Sequence, residues 1–283
     1  MISEGWVADH HSSRRIRLPN LSPPLRIGLL MLGMIFIAVT MAPWLTPFDP
    51  IEQDLSNRFA PPSRIHPFGT DNFGRDMFAR VLYGGRVDLQ IAFVATVLSL
   101  LTGSAVGLVA GYFGGWLDSV LMAVLNLVMA FPVFVLVIGI LAMLGPGLIN
   151  MYIAILAISW VAYARLIRGE VLVVKNLDYV EAARAIGARN SRIITRHILP
   201  NVATAAVVYA ASDAVLNIIF AGTLGYLGLG IQPPNPEWGA MVAEARVFLP
   251  THPNLTLLPA AAIVITGVAI SLIGDGLAEL LRK

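Results

Sequence analysis

Long apolar runs without a formal charge recur along the chain, separated by polar breaks rich in glycine and proline. Ile27 to Phe48 is the first run and Leu89 to Leu117 the second. Ser119 to Ala164 is far longer than the roughly 20 residues that cross a bilayer core, and the Gly-Pro-Gly turn within Leu144 to Asn150 divides it into two. Val202 to Gly222, interrupted only by Asp213, and Val247 to Gly274 complete the set. The pattern predicts an all-α membrane protein with six transmembrane helices. Pro132, inside the third of these helices, predicts a kink, and Gly103 and Gly107 in the second form a small-residue packing seam.

Composition agrees with this placement. Hydrophobic residues make up 57% of the chain and charged residues 13%, against about 25% charged in an ordinary soluble domain. The mean hydropathy is +0.76. The absence of cysteine excludes disulfides, thiolate metal sites and thiol catalysis. A net charge of +2 says little as a total, but its distribution orients the helices. With the N-terminus inside, the inner segments hold Arg14, Arg15, Arg17, Arg26, Arg165, Arg168, Lys175, Arg184, Arg189, Arg192, Arg196, Arg282 and Lys283. The outer segments hold Arg58, Arg64, Arg75, Arg80, Arg86 and Arg246. Thirteen against six predicts both termini in the cytoplasm. The first run is too long, and lacks the small-residue cleavage site, for a removable signal peptide. The predicted organisation is a cytoplasmic tail over 1–26, a first transmembrane helix over 27–48 and a periplasmic or extracellular segment over 49–86. A five-helix core then runs over 87–283, with a cytoplasmic loop at 169–201 and an outer loop at 223–255.

The longest cytoplasmic loop carries the stretch YVEAARAIGARNSRIITRHILPN, Tyr179 to Asn201. Asp178 or Asn176 can cap a helix beginning near Tyr179, and Glu181 sits near its positive end among good helix formers. Gly187 permits a C-terminal turn, and a second helical segment from about Ser191 leads to Pro200 in the first turn of the fifth span. One reading is a basic loop that sets topology or touches anionic lipid. The other is a docking helix, because topology needs only Lys and Arg, whereas alanines flanking Glu181 leave a low surface that another protein can approach closely.

The spacing EAARAIG, nine residues, HILPN resembles the coupling-loop signature of permease subunits of binding-protein-dependent ABC importers. Glu181, Ala182, Ala183, Gly187, Leu199 and Pro200 match it, while His197 stands at a position that is usually Ile. The form RHILPN is similar to that of the dipeptide, oligopeptide and nickel branch. So are His66 to Leu89, Thr223 to Val242 and Leu272 to Leu281, so that the resemblance runs from about residue 45 to the end. It implies a type I importer permease that translocates di- or oligopeptides, with nickel or a metal chelate as the alternative cargo. The implied partners are a second, similar permease, two ATP-binding subunits that use ATP and Mg, and a periplasmic or lipid-anchored solute-binding protein. Glu181, Ala182, Ala183, Arg184, Gly187, Ala188, Leu199 and Pro200 become the expected coupling residues, and Pro47 to Arg86 and Gly225 to Pro253 the expected docking surface for the binding protein.

Other chemistry is sparse. The lysines are Lys175 and Lys283, neither in a phosphate-binding G-x-x-x-x-G-K-[ST] loop, so no nucleotide site of that kind, no cofactor and no catalytic residue is expected in this chain. The glycines at 225, 228 and 230 lead into prolines rather than a helix, and DNFGRD, Asp71 to Asp76, reads as a turn rather than a calcium loop. His66, His197 and His252 lack metal-ligand spacing, and no nucleic-acid surface stands out. Asp213 is the one carboxylate deep in a span, and Tyr209, Asp213 and Asn217 share one helical face. That stripe either lines a translocation path that favours cationic groups or makes a polar contact between helices. A partner-independent secondary transporter would need more intramembrane ionisable groups or a repeat of broken helices, and an intramembrane enzyme would need a metal or nucleophile constellation.

Overall fold

The computed structural model describes residues 22–281. The tail with Arg14, Arg15 and Arg17, and the terminal Arg282 and Lys283, lie outside the described residues. The described residues are helical with no β-strand, apart from one isolated bridge between Thr70 and Asp76. In chain order the helices are α1 (Pro23–Thr40), α2 (Ala42–Leu45), α3 (Met77–Phe113), α4 (Gly115–Met129), α5 (Val133–Leu144), α6 (Leu148–Val174), α7 (Asp178–Ala185), α8 (Asn190–Ile193), α9 (Leu199–Tyr226), α10 (Trp238–Ala245) and α11 (Asn254–Leu281).

Five of these, α1, α3, α6, α11 and the continuous helical stretch ending with α9, are long and apolar enough to cross a membrane, and α4 with α5 makes a sixth if taken as one span. That third span is more than kinked. Pro132 stands at the N-cap of α5, and the two halves meet at 88°. Proline removes a helical N–H and crowds the preceding turn, and here the chain turns a corner at residues 130–132 instead of bending through them. The first span lies earlier than the charge-free run suggests. It begins at Pro23, includes Arg26 and ends at Thr40, because Pro43 and the following prolines start a new short helix and then extended chain.

Close backbone approach organises the core. Gly103, Gly107 and Gly111 present a bare stripe of α3 to α6, where a Cβ on Gly103 would meet the carbonyl of Trp160 and one on Gly107 that of Ala164. Without a hydrophobic drive between helices in lipid, such small-residue seams gain van der Waals contact from proximity. α1 packs antiparallel on α11, with Leu25 against Gly276 and Gly28 against Ala269 and Ile273. The first and last described residues consequently lie at the same end of the bundle. Gly85 near the start of α3 meets Val39 at the end of α1, so the far end of α3 lies there too, and Lys175 Nζ donating to the Gly111 carbonyl (2.7 Å) and Tyr112 Oη to Asn190 Oδ1 (2.8 Å) bring the end of α6 and α8 with it. We term this the α7 end; the opposite one, where Gly84 and Gly85 meet Trp238, is the α10 end. Trp116 at the first and Trp44 at the second are each more than three-quarters exposed, in the manner of aromatic residues at the two interfaces of a bilayer.

Candidate functional site

α7 is anchored on one side and bare on the other. Val180 and Ala183 are buried, and Val180, with Ile193 and Ile198 of the following segment, packs on Ile167, Val171 and Val174 of α6 and Val202 and Ala206 of α9. Glu181, Ala182, Arg184 and Ala185 are exposed, and Ile186 is 86% exposed. Neither Asn176 nor Asp178 caps the helix through its side chain. α7 starts at Asp178 with Leu177 as the N-cap residue, while Asn176 bonds back to the Leu172 carbonyl at the end of α6 (3.0 Å). Asp178 and Glu181 in the first turn, and Arg184 in the last, each complement the helix dipole.

The end of α7 shows why a glycine stands at 187. Gly187 has φ +80°. Its N–H donates to the Arg184 carbonyl (3.0 Å) and that of Ala188 to the Ala183 carbonyl (3.1 Å), the paired bonds of a Schellman motif. A side chain at this φ is strained, whereas glycine is at ease. The return to the bundle runs through α8 and a π-helical turn, Ile194–Ile198, into α9 without a break. The widened turn gives room to Pro200, which brings no N–H and crowds the carbonyl four residues back. Asn201 Nδ2 donates to the His197 carbonyl (2.6 Å) and to Tyr179 Oη (3.2 Å), tying α9 back to α7. The His197 ring lies 6.1 Å from that of Tyr179, at the centre of this tie. Leu199 and Pro200 are exposed, on the same end of the bundle as Glu181.

At the α10 end the two outer segments brace one another. Asp71 accepts from Arg75 Nε (2.6 Å), and Glu244 of α10 accepts from Arg75 (3.0 Å) and Arg80 (2.9 Å). Both arginines are 2% exposed. Asp71 also receives the N–H groups of Phe73 and Arg75, with Gly74 at positive φ, so DNFGRD is a turn whose acid is neutralised by its own arginine. Asp76 caps α3 through the Ala79 N–H (2.7 Å) and pairs with His66 (2.8 Å). On the rim, Asp54 is held below the usual carboxylate range by hydrogen bonds from Ser56 and Asn57. A cavity of about 980 Å³ opens beside this brace, lined by Phe48, Asp49, Tyr83, Arg86, Gln232 and Pro236 among others.

The Tyr209–Asp213–Asn217 stripe faces neighbouring helices of the same chain. Asp213, 3% exposed, accepts from Tyr163 Oη of α6 and from Asn217 Nδ2, both at 3.1 Å, and Asn217 donates to Thr96 of α3 (2.9 Å). Tyr209 meets Tyr163 edge-on at 4.9 Å. Sequence reasoning passed over two further acids, Asp88 and Glu237, which are buried together where α3 meets α10. Glu237 caps α10 through the N–H groups of Gly239 (2.7 Å) and Ala240 (2.8 Å), and Asp88 accepts from the Trp238 N–H (3.0 Å). Among the described residues no group of three or more His, Asp or Glu could hold a metal ion.

A bundle of helices long and apolar enough to cross a membrane, with a small helix anchored by one face at one end, defines a multi-pass membrane protein. Residues 103–283 match the family described as the binding-protein-dependent transport system inner membrane component, and residues 23–62 match the N-terminal TM domain of oligopeptide transport permease C. The chain belongs to this family of inner-membrane permease subunits, which are not its ATPases. It is 40% identical over 255 residues, 90% of its length and 84% of the relative's, to a dipeptide transport system permease protein of Alkalihalophilus pseudofirmus. It is 43% identical to a putative peptide transport system permease protein of Brucella suis, over 90% of this chain and 86% of that one. It is also 40% identical to a glutathione transport system permease protein of Escherichia coli, over 96% and 89%. Among solved structures, the inward-facing MetNI methionine ABC transporter matches with a TM-score of 0.57 and 19% identity, over 72% of this chain and 95% of that one. An amino acid ABC transporter matches with a TM-score of 0.55 and 16% identity, over 72% and 93%. At those identities the likeness is one of fold.

Proposed function

We propose that this chain is the translocating permease of an ATP-driven peptide importer, and that the bare face of α7 is where an ATP-binding subunit docks. One observation carries the reading: Val180 and Ala183 on the inner face of α7 are buried, while Glu181, Ala182, Arg184 and Ile186 are exposed among the described residues. A rigid lever with an unoccupied face is what transmission of a partner's motion requires. In this reading the α7 end and both termini are cytoplasmic, as the thirteen-to-six Lys and Arg distribution favours. A second, similar permease completes the pore, and two ATP-binding subunits supply ATP and Mg chemistry from below. A periplasmic or lipid-anchored binding protein delivers cargo to the α10 end, beside the cavity lined by Asp49 and Arg86.

Peptides are the proposed cargo, because the relatives described above are named for dipeptide, peptide and glutathione transport. Nickel has no such support. The Tyr209, Asp213, Asn217 stripe enters the proposal as a contact that locks α9 to α3 and α6, since Asp213 Oδ2 accepts from Tyr163 and Asn217 Nδ2 donates to Thr96. Uptake and ATP hydrolysis measured together test the coupling role. Substitution of Glu181 and of Gly187 should leave membrane insertion intact and separate hydrolysis from uptake; normal uptake by both variants overturns it.

A further inference from the structure

Asp88 and Glu237 are both 0% exposed, on different elements. Each Glu237 oxygen already accepts a backbone N–H, from Gly239 and Ala240. Asp88 Oδ2 accepts the Trp238 N–H, but Asp88 Oδ1 meets no donor at all. Its polar neighbour is the Glu237 carboxyl, a second acceptor, and two carboxylates cannot bond unless one of them carries a hydrogen. Among the described residues no nearby cation is free to compensate. On α3, Arg80 is engaged by Glu244 and Arg86 by the Val39 and Thr40 carbonyls. Arg75 is held by Asp71 and Glu244, and Arg246, after α10, lies over Tyr226. α9 contributes the backbone of Gly225, where a Cβ would collide with Glu237, and its acid Asp213 stands twelve residues away, about 18 Å along the helix. The acids of α11, Asp275 and Glu279, are near its opposite end. A divalent ion would need several further oxygen ligands, and one free acceptor does not provide them.

We propose that Asp88 and Glu237 form a buried proton-binding site that fastens α10 to α3, so that docking of the outer loop takes up one proton. The proton comes from solvent, forms an O–H on one carboxyl and a hydrogen bond to the other, and returns to solvent when α10 lifts away. Burial pushes the Glu237 carboxyl above its ordinary range, in keeping with a protonated pair. A group whose docked pKa is raised favours docking most strongly at low pH and loses that contribution as pH rises through the docked value. Trp238 makes the fastening stiff: its N–H reaches Asp88, its Nε1 donates to the Val81 carbonyl (2.9 Å), and its ring fills the space left by Gly84 and Gly85. Any movement that opens the α10 end by separating these elements is thereby linked to proton release.

Infrared difference spectroscopy of the full chain in lipid nanodiscs, titrated with alkali, reads the proton directly. A protonated carboxyl band should be present near neutral pH, disappear as pH rises, and be missing in Asp88→Asn. No such band in the wild-type chain overturns the proposal, whatever the variants do. Docking is read separately with a cysteine at the buried Ala240, referred to one at the exposed Val247 to cancel thiolate ionisation. In the wild-type background the Ala240-to-Val247 labelling ratio should climb with pH, by up to about tenfold per unit for release of one proton. With Asp88→Asn, which supplies a permanent donor, it should stay flat. A climb of equal size in both backgrounds, or a flat ratio in the wild type, contradicts the proposal.

Discussion

The two ends of the bundle are built on opposite plans. At the α10 end, polar groups are consumed within the chain: Arg75 and Arg80 by Asp71 and Glu244, Asp76 by the start of α3, and Glu237 by the start of α10. At the α7 end, the apolar contacts of Val180, Ile193 and Ile198 anchor α7, with the Asn201 to Tyr179 bond beside them, and Glu181, Ala182, Arg184 and Ala185 face away. The α10 end is braced from within by its own ion pairs. At the other end one face of an anchored helix, with Ile186 on it, is exposed among the described residues, and it is this face that the proposed function assigns to an ATP-binding subunit.

Substitutions separate the two plans by size of effect. Arg75→Ala should cost the most, about 3 kcal/mol, because it leaves the buried Asp71 carboxylate with Arg80 Nε, 3.6 Å away, as its one remaining cation among the described residues; thermal unfolding of the purified chain measures it. Gly107→Val should follow, at roughly 2 kcal/mol, since its side chain must push α3 away from the Ala164 carbonyl. The same unfolding assay detects it, and an unchanged midpoint breaks the idea of a close seam. Gly187→Ala should cost about 1 kcal/mol for an alanine at positive φ, with a larger effect on coupled ATP hydrolysis than on unfolding. Ile186→Glu should change stability by less than about 0.5 kcal/mol, as an exposed substitution does, yet reduce co-purification of ATP-binding subunits. A large stability loss there would show that the face is structural.

Much of this was legible in the sequence because lipid simplifies the code. Runs of uncharged residues mark the long helices, and Gly103 and Gly107 announce the contact between α3 and α6. The end of α7 was legible through local chemistry, with Gly187 closing the helix. The right-angle corner at Pro132 was not, since a proline in an apolar run indicates a bend without its size. The π-turn before Pro200 was missed because it follows from the continuity of α8 with α9, which the proline itself argues against. Asp88 was overlooked because it sits one residue ahead of the charge-free run beginning at Leu89, and Glu237 because it follows a proline-rich loop. An acid before Trp-Gly-Ala was the available sign of a helix cap, but its pairing across 149 positions is a tertiary fact.

The absence of cysteine makes one measurement unambiguous. With Ile186→Cys as the sole cysteine, a short bifunctional thiol-to-amine reagent is added to membranes containing the chain and co-expressed ATP-binding subunits. The cross-linked product should contain an ATP-binding subunit, and Val247→Cys at the α10 end should yield none. Failure of Ile186→Cys to cross-link, or an equal yield from Val247→Cys, would contradict docking on the bare face of α7.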